Sequence, residues 1–398
     1  MDVQTIQNAG LRMRNSIYLN LIFMEIIEKG QCGERVSYEL YEDGTLKIFG
    51  VGKMYNYTDN SDRDKCSPFF KFKKEIKKVI VSLGVTTIGN YAFWGCHELV
   101  LIDLSESIIA IGSYAFSQCS SLQKIVIPDS VTTIKQFVFS RCRSLVVVEL
   151  GNSIVSIAEN MFYGCSALRT IKIPDSVTII ENSAFSNCSS LSFIDIPDSV
   201  TKVGVGAFNH CSLLDTVKIG KNVAIFVGVF GGNNKLTSVF VDEQNCKYSS
   251  ENGVLYNKDK SVLIKYPGYK KDTEFIVPES VVRIGSSAFA DCCFLKKIKI
   301  TKKVVELGEK SFYNCNSLRI VEVDGQIEKI SYEAFTYSYN IYSISIVSEM
   351  PPIVDGEDAF ISIVETAEIC VPKNSINHYK AARGWNRFTN YVAIEDGN

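Results

Sequence analysis

The sequence predicts a β-solenoid of short stacked coils, and three observations carry that expectation. Phe93, Phe116, Phe139, Phe162, Phe185 and Phe208 stand 23 residues apart without exception. A fixed period of this length marks a repeat architecture and overrides any domain count taken from the 398-residue length. Three residues after each Phe comes a cysteine (Cys96, Cys119, Cys142, Cys165, Cys188, Cys211), and three further on a leucine (Leu99, Leu122, Leu145, Leu168, Leu191, Leu214). Each leucine opens a run with apolar residues three and five places on, L-x-x-I-x-I at Leu122, Leu168 and Leu191, where Pro-Asp-Ser ends it. The period slips by one at Phe230, where Asn233 replaces cysteine, returns at Phe289, Phe312 and Phe335, and leaves a degenerate echo at Phe360.

The repeat beginning at Leu122 shows how each element follows from its residues. Leu122, Ile125 and Ile127 form a strand whose Lys124 and Val126 point the other way, because strand side chains alternate. Pro128, Asp129 and Ser130 stop it, since proline cannot donate to a central ladder and Asp and Ser suit turns. Val131, Thr133 and Ile134 make a second extended piece, followed by a compact turn from Lys135 to Phe139. Most sister turns open with glycine: Gly89, Gly112, Gly204, Gly285 and Gly308. A coil this short cannot bury its apolar side alone, so neighbours must stack into one continuous core.

The unit L-x-x-I-x-I-P-D-S-V-T-x-I-x-x-x-A-F-x-x-C-S-S, typified by Leu168 to Ser190, resembles the leucine-rich repeat of the BspA-like surface antigens and the treponemal leucine-rich-repeat proteins. The likeness runs from about Ile76 to Phe360. It implies a leucine-rich-repeat solenoid, right-handed and of the β-rich α/β horseshoe-like kind, with 23-residue repeats between terminal caps. It also implies a secreted or surface-displayed adhesion or binding protein without catalysis.

The domain organisation expected is an N-terminal extension (1–30), a β-hairpin cap (31–75), repeats (76–244), a hairpin insertion (245–272), repeats (273–370) and a C-terminal cap (371–398). In the first cap, Asp43-Gly44 makes a turn between Val36 to Tyr41 and Thr45 to Phe49. Ser67 and Pro68 read as N-cap and N1 of a short helix. In the insertion, Val254 to Tyr256 and Val262 to Tyr266 flank Asn257 to Lys260 as a hairpin, expected as a local lip on the solenoid. In the last cap, Asn374 or Ser375 opens a helix to about Arg383, and Tyr379, Trp385 and Phe388 supply an apolar lid.

Composition narrows the function. With 42 basic against 44 acidic residues the chain lacks the bulk charge of nucleic-acid binders, and 46% hydrophobic content excludes disorder. No run approaches the roughly 20 apolar residues of a membrane span. Arg12 and Arg14 before Ile17 to Met24 resemble an export segment, but Asn20 interrupts it and no cleavage pattern follows. The resemblance implies the cell surface or secretion; without a clear signal or anchor, the cytoplasm is the alternative location.

Of thirteen cysteines, eight occupy the column, including Cys292 and Cys315, where small weakly polar thiols fill the turn. Cys32, Cys66, Cys246, Cys293 and Cys370 lie off it and are the ones open to reaction. A linear column cannot surround a metal tetrahedrally, so neither metal nor cofactor is expected. His97, His210 and His378 lack metal-binding neighbours, and His97 and His210 fall in variable slots expected to face solvent. No P-loop, dinucleotide fingerprint or nucleophile elbow is present, and no catalytic residue is singled out.

The informative surface is the outward side of the strands. Its fifth position reads Asp103, Val126, Glu149, Lys172, Asp195, Lys218 and Phe240, then Lys299, Glu322 and Ser345. Alternating charge from Glu149 to Lys218 suggests a self-compensating ladder. The third position adds Val147, Phe193 and Ile320. Apolar residues among charges mark a protein-contact patch, so Val126, Val147, Lys172, Phe193, Asp195, Lys218 and Phe240 are the candidate partner-binding residues. The expected function is recognition of a host, cell-surface or matrix protein by a monomer; an intracellular leucine-rich-repeat scaffold is the alternative. Lys71, Lys73, Lys74, Lys77 and Lys78, with Lys296, Lys297, Lys299, Lys302 and Lys303, carry a secondary glycan or polyanion reading.

Overall fold

The computed structural model describes residues 24–59, 65–225, 228–356 and 358–394. Arg12, Arg14 and the stretch 17–23 lie outside them. Contacts gather the chain into two compact units, Met1–Ser176 and Val177–Asn398, where the period alone led to one continuous core. Each coil touches only its neighbours, so contacts stay local. Each unit is a β-solenoid.

In the first unit, Ile26–Gly33, Val36–Tyr41 and Thr45–Gly50 form an antiparallel cap. Gly44 sits at φ +85°, and the Asp43 carboxylate accepts the Thr45 N–H at 2.8 Å, closing the tight turn. Thr45–Gly50 then pairs in parallel with Lys78–Val81, which covers the edge of the first coil. Leu101–Leu104, Lys124–Val126 and Val147–Glu149 continue this seven-stranded sheet. The second extended pieces, Gly52–Lys53, Val85–Ile88, Ala110–Ile111 and Thr133–Ile134, form a second sheet of the same unit.

In the second unit Phe193–Ile196, Thr216–Ile219 and Ser238–Val241 pair in parallel. After them Glu274–Ile276, Lys297–Ile300, Ile320–Val323, Ser343–Ile346, Glu368–Pro372 and Asn390–Ile394 make a six-stranded parallel sheet. Tyr248–Glu251, Val254–Asn257 and Val262–Lys265 follow one another, each antiparallel to the next. Val262–Lys265 also pairs in parallel with Arg283–Ile284, so the segment expected as a lip is woven into the sheet of second extended pieces. Tyr266 stacks on Phe289 at 5.1 Å, and its N–H donates to the Ala288 carbonyl as Phe93 donates to Ala115. The 23 residues between Tyr266 and Phe289 were the signal that this is a degenerate coil.

Helix is nearly absent, so the solenoid is β-rich. Among the described residues the one α-helix is Ile376–Ala381, and the far side of each coil is a tight turn. Ser375 is its N-cap but makes no side-chain capping bond. The helix expected after Ser67 and Pro68 is a single 3-10 turn at Phe70–Phe72 capped by Phe69. Ser67 instead accepts the Phe69 N–H at 3.3 Å and donates its hydroxyl to the Ala92 carbonyl.

Stacked rings run through both cores. Phe69, Phe93, Phe116, Phe139 and Phe162 lie 5.2–5.7 Å apart in the first unit. In the second, Phe185, Phe208 and Phe230 stack, as do Tyr266, Phe289, Phe312, Phe335 and Phe360. Trp385 closes the end at 4.8 Å from Phe360, fully buried, with its indole N–H on the Pro352 carbonyl at 3.1 Å.

The turns are tighter than the sequence signals. Non-glycine residues adopt positive φ two places before the Phe, as at Tyr114 (59°) and Phe137 (59°), and just before the cysteine, as at Gln118 (62°) and Arg141 (61°). Each costs roughly 1–2 kcal/mol for an L-residue, offset by inter-coil hydrogen bonds such as Phe116 N–H to the Val138 carbonyl at 3.0 Å. The repeated glycine serves close approach: a Cβ on Gly112 would lie 2.5 Å from the Asn90 nitrogen and Oδ1.

Two measurements check this packing. Gly112→Ala should destabilise by about 1–3 kcal/mol in urea unfolding, and an unchanged midpoint would refute the close-approach reading. Trp385→Ala should cost about 3–5 kcal/mol, read as an earlier transition by circular dichroism.

Candidate partner-binding face

The strand face is built by alternation: inward Ile and Val fix the outward aim of the third and fifth positions. In the first unit Val126 and Val147 are each 41% exposed. Between them Lys124 pairs with Glu149 at 2.7 Å. Lys172 is exposed, but the stretch 170–173 forms no strand, although its L-x-x-I-x-I residues match those of its sisters. In the second unit Asp195, Lys218 and Phe240 lie in register across three strands, all exposed, with Phe240 at 49%. Phe193 is half-buried beneath the Lys218 ammonium, 5.7 Å from its ring centroid. Ile320, also expected in solvent, is half-buried.

The expected straight-across charge ladder is replaced by diagonal pairs. Lys124 reaches Glu149, Lys297 reaches Glu322 at 2.8 Å, and Lys299 reaches Asp324 at 2.8 Å, each two positions further along the next strand. Long side chains lean along the strand and so meet the diagonal carboxylate. Asp195 and Lys218 face one another in register, yet the lysine turns to the Phe193 ring. Part of the lysine clusters is engaged or buried. Lys71 pairs with Glu28 at 3.1 Å, Lys73 lies 4.2 Å from the Phe70 centroid, and burial lowers the pKa of Lys78.

The cysteine column faces inward. Cys119, Cys142 and Cys165 donate their thiols to the carbonyls of Phe93, Phe116 and Phe139 at 3.1–3.2 Å; in the second unit Cys211 and Cys315 do the same to Phe185 and Phe289. Ser338, standing where a cysteine would, donates to Phe312. Asn233 in the same column accepts the Cys211 N–H at 2.9 Å, a turn-satisfying role. Burial pushes the Cys96 and Cys211 thiols up to about 12. None of the thirteen cysteines is in a disulfide. Of the five off the column, Cys246 and Cys293 are exposed and Cys66 and Cys370 half-buried; Cys32 is buried and pushed up to about 12 by burial, so it does not belong with the reactive set. Among the described residues no group of three His, Cys, Asp or Glu side chains is placed to hold a metal.

His210 and His378 are exposed, whereas His97 is half-buried with Nδ1 3.1 Å from the Gln118 carbonyl. One cluster escaped sequence reading. The Lys271 ammonium lies 4.0 Å from the Tyr269 centroid and 3.7 Å from that of Phe294, and Lys235 donates to the Tyr269 hydroxyl at 2.6 Å. Tyr269 and Phe294 meet edge-to-face only because the irregular segment after Tyr266 enters the stack.

A β-solenoid of 23-residue coils with an inward thiol-and-phenylalanine ladder defines a leucine-rich-repeat scaffold. The profile of the BspA type leucine rich repeat region matches in six copies over residues 66–169, 138–260 and 268–381, and the chain belongs to that family. Among solved structures it is similar to a leucine rich cell surface protein from Faecalibacterium prausnitzii, at 25% identity over 92% of this chain and 94% of that one, with a TM-score of 0.58. Leucine-rich-repeat proteins from Eubacterium ventriosum (20% identity, 92% and 85% covered, TM-score 0.47) and Bacteroides ovatus (19%, 91% and 99%, 0.49) are more distant. Comparison with curated proteins finds no match. No enzyme family is evident, and among the described residues no helix is long and apolar enough to cross a membrane.

Thiol titration checks the column. Under native conditions Cys246 and Cys293 should react first with a thiol reagent, and Cys96, Cys119, Cys142, Cys165, Cys188, Cys211, Cys292 and Cys315 only after denaturation. Rapid native reaction of the whole set would sink the inward ladder.

Proposed function

We propose that the chain is a non-enzymatic adhesion or recognition module that binds a host, cell-surface or matrix protein through its strand face. The observation that carries this reading is Phe240, a large ring left 49% exposed in register with Lys218 and Asp195. A ring so placed loses the burial worth about 1.5–3 kcal/mol to a large apolar side chain, and apolar surface rimmed by charge is what a contact patch presents. Val126 and Val147 offer a smaller patch of the same kind in the first unit. Membership of the BspA-type family and likeness to a cell surface protein support the surface location. The thirteen thiols do not oppose it: eight sit in the buried column, where the lack of exposure keeps them from oxidation.

The test removes the rings without adding charge. The double variant Phe193→Ser and Phe240→Ser should lose at least tenfold in binding to intact epithelial cells or to a panel of extracellular-matrix proteins, with native circular dichroism. Undiminished binding by the folded variant rejects this face. Protease shaving of intact producing cells checks the location: a chain shielded until lysis favours the intracellular scaffold.

A further inference from the structure

The strand face of the second unit has a chemical bias that its repeat pattern does not require. Its floor is two rows across three strands, Phe193–Thr216–Ser238 and Asp195–Lys218–Phe240. On the far side of Ser238–Val241 the third strand is met by the hairpin turn. Val239 donates its N–H to the Gly253 carbonyl at 2.9 Å, and Val241 donates to the Ser250 hydroxyl at 2.9 Å. Gly253, at φ +78°, lies so close to Ser238 that a Cβ would stand 2.9 Å from the serine hydroxyl. The floor is therefore bordered by Ser250–Gly253 on the side where Phe240 stands.

Three exposed carboxylates lie on this floor or at its edges, and one ammonium lies within its rows. Asp195 lies in the Phe240 row and has no partner among the described residues. Asp215, at the entrance to Thr216–Ile219, is held in place by the hydroxyls of Thr216 and Thr237, each donating at 2.8 Å. Asp242 follows Phe240 by two residues and accepts the Gln244 N–H at 2.8 Å. Lys218 is the cation within the rows, and its ammonium is turned to Phe193. This contrasts with Ile320–Val323 and its neighbours in the same unit, where Lys297–Glu322 and Lys299–Asp324 neutralise one another.

An exposed ring amid uncompensated carboxylates suits a cation with an apolar stem: the ring face attracts it through its quadrupole and the carboxylates through charge. We propose that this face, from Phe193 to the turn at Asn252–Gly253, is the docking surface for a basic segment of a partner protein, with an arginine or lysine laid over Phe240 and further basic residues of the segment meeting Asp195, Asp215 and Asp242. The proposal rests on the protein-binding reading above and adds the chemistry of the partner.

The experiment uses the full chain and synthetic oligo-arginine, with oligo-glutamate as the opposite probe, followed by fluorescence anisotropy. Oligo-arginine should bind, oligo-glutamate should not, and the triple variant D195N/D215N/D242N should weaken oligo-arginine binding about tenfold. Phe240→Ala should weaken it several-fold at every salt concentration, whereas the carboxamide variant should flatten the salt dependence. A control removing three carboxylates elsewhere in the unit, E328Q/E349Q/E365Q, should leave binding within about twofold if the effect is local. Absent binding, equal loss in the control, or tighter binding of oligo-glutamate overturns the proposal. If the serine variants abolish cell or matrix binding while oligo-arginine fails to discriminate, the protein-binding reading stands and the basic partner falls.

Discussion

Everything in this molecule depends on the inability of one 23-residue coil to bury its own apolar side. A single turn of two short strands and a tight bend exposes its Leu, Ile and Phe on one side, and only the next coil can cover them. The Phe stack and the cysteine column are the means. Rings of neighbouring coils stack, as Phe93, Phe116 and Phe139 do at 5.2–5.7 Å, and thiols inside the bends reach one coil back: Cys119 and Cys142 add a second donor to the Phe93 and Phe116 carbonyls, which already accept the Cys96 and Cys119 N–H groups. Replacement of cysteine by Ser338 and Asn233 shows which property matters: a small side chain that can hydrogen-bond inside the turn.

That constraint explains the strained backbone. The bend must reverse the chain within a few residues while keeping Phe and Cys inward, and left-handed residues accomplish it at Tyr114, Phe137, Gln118 and Arg141, where glycine would seem natural. The recurrent glycine instead stands where adjacent coils come closest. Terminal coils need covers for the same reason. An antiparallel hairpin gives its last strand to the first coil, and Tyr379, Trp385 and Phe388 bury the end of the second ring stack.

Function is left to whatever the coils do not need. The inward positions are committed to packing, and most outward charges cancel in diagonal pairs. What remains near Phe240 is an exposed ring and carboxylates whose only cation within the rows is occupied elsewhere. A scaffold that grows by repetition can thus vary its outward residues coil by coil without disturbing the core, which is why membership of a leucine-rich-repeat family defines a framework and leaves the ligand to local chemistry.

The sequence by itself determined the repeat, its strands, the inward thiols and the hairpin cap, because period and alternation are local consequences of backbone geometry. It also singled out Phe240, Val126 and Val147 by their outward phase. Tertiary structure alone decided the rest. Phe69 and Tyr266 enter the ring stacks from outside the regular repeats, Val262–Lys265 joins a sheet it was not expected to share, and Lys218 chooses a ring over its facing carboxylate. These outcomes depend on which side chains meet when coils stack, and spacing along the chain does not encode the direction in which a long side chain leans.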